Sequence, residues 1–266
     1  IQNDLRTGER KVNVRATTRL QPLEPYLCPT YTGFPLKVSD AYRRNEFMKE
    51  FRAYEAKGDL PNFIVMLLPG DHTSGTRPGM PTPRASVADN DLALGEIVDA
   101  ISHSRFWPET AIFVVEDDPQ AGLDHVDAHR TVALCISPYT KRQCVDSTFY
   151  NQTGMLRTME LILGLPPLNQ LDMAATPMLN AFQDCPDLTP YTVCPNQIPL
   201  DEMNPSLASI KGKQRYWAEA SIRLPLDDVD EADEDTLNRI LWHSVKGYNT
   251  PYPKLARSVQ SQADKD

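Results

Sequence analysis

The chain has 266 residues, 41% of them hydrophobic, which is ample for one large core, and its longest apolar runs are strand-sized, too short for a membrane-spanning helix. A formal charge of -9 and a pI near 5.1 exclude a large nucleic-acid footprint, which needs clustered Lys and Arg. The same acidity leaves room for a phosphate-binding cleft, which needs only metal ions and one or two cations.

Residues 1–39 read as an irregular, polar lead-in. A helix follows over 40–57, capped by Ser39 or Asp40 and ended near Gly58. The run Asn62–Pro69, apolar almost throughout and closed by Pro69-Gly70, predicts a buried strand. Over 90–103, Leu94, Ile97, Val98 and Ile101 fall on one helical face. Thr110–Glu116 is the next strand, and strand, helix, strand in this span predicts a right-handed crossover with both strands parallel in one sheet. Asp71-His72 and Asp117-Asp118 would then meet at the sheet's C-terminal edge, where open α/β sheets place ligands.

A third strand is expected over 131–137 and a helix over 152–163, with Met155, Met159 and Ile162 on one face. Helices over 205–221 and 234–246 read as an outer C-terminal cover, and 254–266 as a polar tail. The acidic stretch 226–235 lacks the Gly and closing Glu of an EF-hand loop and reads as a linker and helix start. His103 reads as a helix-end partner, and Trp107, Trp217 and Trp242 as packing. Five scattered cysteines without a CxxC pair argue against a disulfide scaffold or a zinc finger, although Cys185 and Cys194 flank one Pro-rich loop and can pair if the protein is exported.

The chemistry concentrates in residues 113–130, where four aspartates and two histidines follow a buried strand. Carboxylates and imidazoles at that density suit zinc, manganese or iron. The pattern of strand, Asp117-Asp118, a short Gly-containing turn and Asp124-His125-Val126 resembles the phosphoesterase branch of the alkaline phosphatase superfamily, which includes bacterial phospholipase C and acid phosphatases. The blocks 71–95, 130–142 and 145–182 are similar to successive segments of that family, in particular of members fused behind a β-propeller, and the resemblance spans 40–253.

The resemblance implies an α/β fold with a mostly parallel sheet flanked by helices. It implies a phosphoester hydrolase working through a phosphoenzyme, with two divalent metal ions that could be zinc, manganese, iron or calcium. Asp71, Asp117, Asp118 and His129 are the implied metal ligands, and His72 and His125 the implied catalytic histidines. Asp124 and Arg130 are implied to orient ligands or substrate, and either Arg77 or Arg130 to hold a phosphoryl oxygen. It further implies a periplasmic or secreted location and a small phosphoester as substrate. Family members also carry an acidic motif and a Ser or Thr nucleophile upstream of these blocks, and residues 1–60 contain neither. Residues 40–253 are therefore expected to form the C-terminal portion of such a domain, inactive alone, with the nucleophile on an N-terminal remainder. Bare apolar surface is expected beside 62–68 and 111–116. The alternative is a non-catalytic remnant that keeps metal or anion affinity.

Overall fold

Ser39 and Gly58 bracket the first helix as the sequence requires. In the computed structural model, which describes residues 15–117, 130–227 and 231–253, helix α1 spans Asp40–Lys57. The Ser39 hydroxyl accepts the Tyr42 amide at 3.2 Å, and Gly58 closes the helix in the left-handed conformation (φ 73°) that glycine adopts at little cost. Helix α2, Pro83–Ser102, starts seven residues before its expected first turn, because Thr82 caps it and Pro83 fits the first turn, where no N–H is needed.

Phe47 and Phe51 of α1, Ile97 and Ile101 of α2 and Trp107 form the main core. Met66, Leu68, Ile112 and Ile136 pack against its margin, so the 62–69 run and both strands share it. The strands are β1, Ile112–Val115, and β2, Ala133–Ile136. They pair antiparallel, with Ile112 opposite Ile136 and Val115 opposite Ala133.

This corrects the expected topology. Among the described residues the sheet has two antiparallel strands, and the expected parallel partner at 62–69 forms no strand. A strand is defined by its ladder, and the carbonyls at the end of this run are taken by side chains instead. Leu67 O accepts the Tyr31 hydroxyl at 2.7 Å and Leu68 O accepts the Asn90 amide at 2.7 Å. The run still alternates as an extended segment does, with Met66 and Leu68 turned to the core and Val65 and Leu67 to solvent. Mixed helix and strand with a small sheet is compatible with an α/β fold.

Phe63, Ile64, Val65 (80% exposed) and Leu67 on this run, and Val115, Val132 and Leu134 on and beside the sheet, present apolar side chains to solvent. Apolar side chains are therefore exposed at both places where bare apolar surface was expected.

Helix α3, Gln152–Leu163, has the expected bounds, capped by Asn151 and ended at Gly164 in the left-handed region. Met155 is buried, but Ile162 is exposed, so the apolar face of α3 is only partly covered. A capping box at Asn169 starts the short α4, Gln170–Ala174.

Helices α5, Gly212–Arg223, and α6, Glu234–Lys246, build a second core from Ala220, Leu224, Leu226, Leu237 and Ile240. Asp233 caps α6 through the Thr236 amide, as the reading of 226–235 as a helix start requires. His103 ends α2 with Nδ1 2.9 Å from the Asp99 carbonyl oxygen, the helix-end role expected of it. Trp107 is buried in the main core, and Trp217 stacks on His243. All five cysteines, Cys185 and Cys194 included, are free thiols.

Candidate functional site

The segment after Leu68 must leave the core and expose polar side chains within three residues, and it does so in one tight turn. Gly70–His72 form a 3-10 turn that carries Asp71 and His72, the first pair of expected site residues. Gly70 is required by close approach, since a Cβ there would lie 2.4 Å from Asp40 Oδ2. The Gly70 amide donates to that same oxygen at 2.8 Å. The first turn of α1 thus sits directly under the turn.

Asp40 is fully buried and bonded on all sides. It accepts from Arg43 Nη1 at 2.9 Å, from Gly70 N and from Asn90 Nδ2 at 3.1 Å. Arg43, equally buried, also donates to the carbonyls of Thr32, Gly33, Pro35 and Val38. Five acceptors around one guanidinium make this pair a fully satisfied internal ion pair. Burial pushes the Asp40 carboxyl up, and the Arg43 charge and the bonds from Gly70 and Asn90 oppose that shift.

Asp89, one helix away, accepts the amides of Asp40 at 2.7 Å and Ala41 at 3.2 Å and so caps the α1 N-terminus from α2. Burial, followed by the negative charge of Asp40, pushes Asp89 up to about 7. Its neighbour Asn90 reaches three acceptors with one amide nitrogen: Leu68 O at 2.7 Å, Asp40 Oδ2 at 3.1 Å and Asp71 Oδ1 at 3.3 Å. Arg44 and Glu96 form a further ion pair between α1 and α2.

Past His72 the backbone is strained. Thr73 takes φ 59°, a conformation costly for a β-branched residue by about 1–3 kcal/mol, and such residues gather at functional sites. Its hydroxyl accepts the Gly75 amide at 3.0 Å, which helps hold the conformation. The His72 ring stands edge-on to Phe34 at 5.1 Å, with Nδ1 3.2 Å from the Thr73 carbonyl oxygen.

The rest of the loop is pinned by the C-terminal region. Thr76 donates its amide to Ser221 Oγ at 3.0 Å, and the two hydroxyls lie 2.9 Å apart. The Asn204 amide donates to the carbonyls of Gly75, Arg77 and Pro81. Arg77 is spent on Leu224 O at 3.0 Å and Asp227 at 3.2 Å, so it anchors α5 to the loop rather than offering a fork to phosphate. The C-terminal helices thus do more than cover the domain; they fix the segment that follows the turn.

The second pair of expected residues is only half described. Asp117 follows β1 at an exposed position, and its carbonyl accepts the Gln152 amide at 2.5 Å from the start of α3. Asp118, Asp124, His125 and His129 lie outside the described residues, and Arg130 is exposed where the chain resumes. Asp71 and His72 are consecutive residues of one turn, while the Asp117 backbone is tied to α3. Among the described residues no three His, Cys, Asp or Glu side chains are grouped to hold a metal ion. Hard carboxylate oxygens at Asp71 and Asp117 suit a divalent cation chemically, but these two alone are too few to hold one.

Asp40, Arg43, Asp89 and Asn90 were not singled out by the motifs. One signal was there for Asp89: it precedes Ala93, Ile97 and Ile101 at steps of four, on the buried face of α2, where a carboxylate needs a partner.

In comparison with known proteins, the model of the Phosphoesterase family matches residues 31–166, just over half of the chain. No curated protein and no solved structure matches. The matched span contains α1, the Asp71-His72 turn, α2, β1, β2 and α3.

Proposed function

Since the chain belongs to the Phosphoesterase family, whose membership points to hydrolysis of phosphoric esters, we propose that it supplies part of the metal site of a phosphoester hydrolase. The observation that carries this reading is the Asp71-His72 turn, which is held on a buried Asp40–Arg43 pair and followed by the strained Thr73. Structure of that kind exceeds what a surface turn needs, and it carries a carboxylate and an imidazole on consecutive residues.

Asp71 and Asp117, with Asp118 and His129, are the proposed ligands of divalent metal, and His72 and His125 the proposed catalytic histidines. Asp124 and Arg130 are proposed to orient them. The metal would supply Lewis-acid stabilisation of the phosphoryl oxygens. A hydroxyl from polypeptide outside this sequence would attack phosphorus in line as the alkoxide leaves with a proton, and water would then release phosphate from the phosphoenzyme. The exposed apolar side chains of Phe63, Ile64, Val65 and Leu67 support the outside origin, because further polypeptide of a larger domain would cover them. His72 is proposed to give or take a proton at the reacting oxygens.

The test is Mn2+ binding and aryl phosphate turnover by the purified chain and by Asp117→Ala. We expect Mn2+ binding without turnover, and loss of binding in the variant. Turnover by this chain alone overturns the external nucleophile, and unchanged Mn2+ binding by Asp117→Ala overturns the ligand assignment.

A further inference from the structure

The Asp71 carboxylate is proposed above as a ligand, and a ligand acts only if its oxygens are held in one direction. Its own turn gives it little to lean on, since Gly70–His72 is three residues long and begins with a glycine. Among the described residues, one side chain reaches it from the body of the fold. Asn90 Nδ2 lies 3.3 Å from Asp71 Oδ1, and the same nitrogen lies 2.7 Å from Leu68 O and 3.1 Å from Asp40 Oδ2.

Those three acceptors belong to three different parts of the molecule: the end of the 62–69 run, the first turn of α1, and the candidate site. Two amide hydrogens serve all three, so one hydrogen points to Leu68 O and the other is shared between the carboxylate oxygens Asp40 Oδ2 and Asp71 Oδ1, which ties Asp71 to the buried Asp40 through one donor. The platform beneath it is rigid. Asp40 is fixed by Arg43 and Gly70, and the adjacent Asp89 ties the same turn of α2 to the α1 N-terminus. A donor held this way fixes Asp71 Oδ1 and leaves Oδ2 for another partner.

We propose that Asn90 is the positioning residue for Asp71, orienting its carboxylate toward the cation that the hydrolytic site takes. This rests on the reading of Asp71 as a ligand given above. The side chain acts through Asp71 and touches no substrate. Aspartate at position 90 would place a third carboxylate against Asp40 and Asp71 and remove the donor, so the position requires the amide rather than its isostere.

The experiment uses the full chain and two readouts. The first is metal-free: the side-chain carboxyl carbon resonances of Asp71 and Asp117, followed by NMR in chelated protein carrying 13C-labelled aspartate. Asn90→Ala should move the Asp71 resonance and leave that of Asp117 in place. The second is calorimetric titration with Mn2+ alone, in which Asn90→Ala should weaken binding by roughly 10- to 100-fold. In an Asp71→Ala background the same change should cause no additional loss. Asn90→Ser retains a shorter donor and serves if the alanine variant does not fold, with a smaller loss expected.

A merely structural role for Asn90 would lower the urea midpoint while leaving the Asp71 resonance and the Mn2+ affinity unchanged, and that result overturns the proposal. Additive effects of Asn90→Ala and Asp71→Ala on Mn2+ binding overturn it as well. If Asp71→Ala binds Mn2+ like the parent chain, the ligand reading of Asp71 fails, and an unmoved Asp71 resonance in Asn90→Ala then decides separately against positioning.

Discussion

Replacing Asp40 by alanine tests the platform most directly. The carboxylate is fully buried and accepts three hydrogen bonds, from Arg43, Gly70 and Asn90. Its removal leaves Arg43 buried with its four carbonyl acceptors but without a neutralising charge at bonding distance, and breaking a buried pair from one side costs about 3–5 kcal/mol. The Gly70 amide and the Asn90 donor lose their acceptor too, each worth about 1 kcal/mol if water cannot replace it. Against a whole-domain stability of about 5–15 kcal/mol, we expect a loss of about 3–7 kcal/mol, the upper end if water reaches neither orphaned donor, measured as a lower urea midpoint at unchanged m-value. Asp40→Asn should recover little of it, since one face of the amide would set N–H against N–H. Replacing Glu219 of the exposed Arg215–Glu219 pair by alanine should change stability little, which provides the control. A cost below about 1 kcal/mol for Asp40→Ala would refute the view that this ion pair holds the turn.

Asp89 binds its proton more tightly in the folded chain, at about 7, than in the unfolded chain near 3.8. Stability from this group is thus greatest below about 4, declines by up to about 4 kcal/mol as pH rises to about 7 and is level above; urea midpoints across pH 4–8 should show this slope, and Asp89→Asn should flatten it. Gly70→Ala forces a methyl onto Asp40 Oδ2, which cannot retreat, so a loss of about 1–3 kcal/mol is expected in thermal melts. Phe51→Ala empties the centre of the main core and should cost about 3–5 kcal/mol, read from denaturant unfolding.

How much could be read without coordinates depended on the range of the interaction involved. Helices α1, α3 and α6 have their expected bounds because caps and stops are local: Ser39 and Gly58, Asn151 and Gly164, and Asp233 act within a few residues of their own backbone. The start of α2 was read late because Thr82-Pro83, its true cap and first turn, lies in a proline-rich stretch that reads as loop. The family was legible too, since the order of polar blocks after apolar runs is a property of the chain itself.

Strand pairing was not legible. An apolar run such as 62–69 specifies extended backbone but not its neighbour, and tertiary structure decided that β1 pairs antiparallel with β2 while the run stays outside the sheet. The support of the candidate site was hidden for the same reason. Asp40, Asp89 and Asn90 are ordinary helix-start and helix-face residues in sequence, separated by up to 50 positions. The packing of α1 on α2 removes water from among them, and in that space their charges and amides meet Arg43, the Leu68 carbonyl, the Gly70–Asp71 turn and one another.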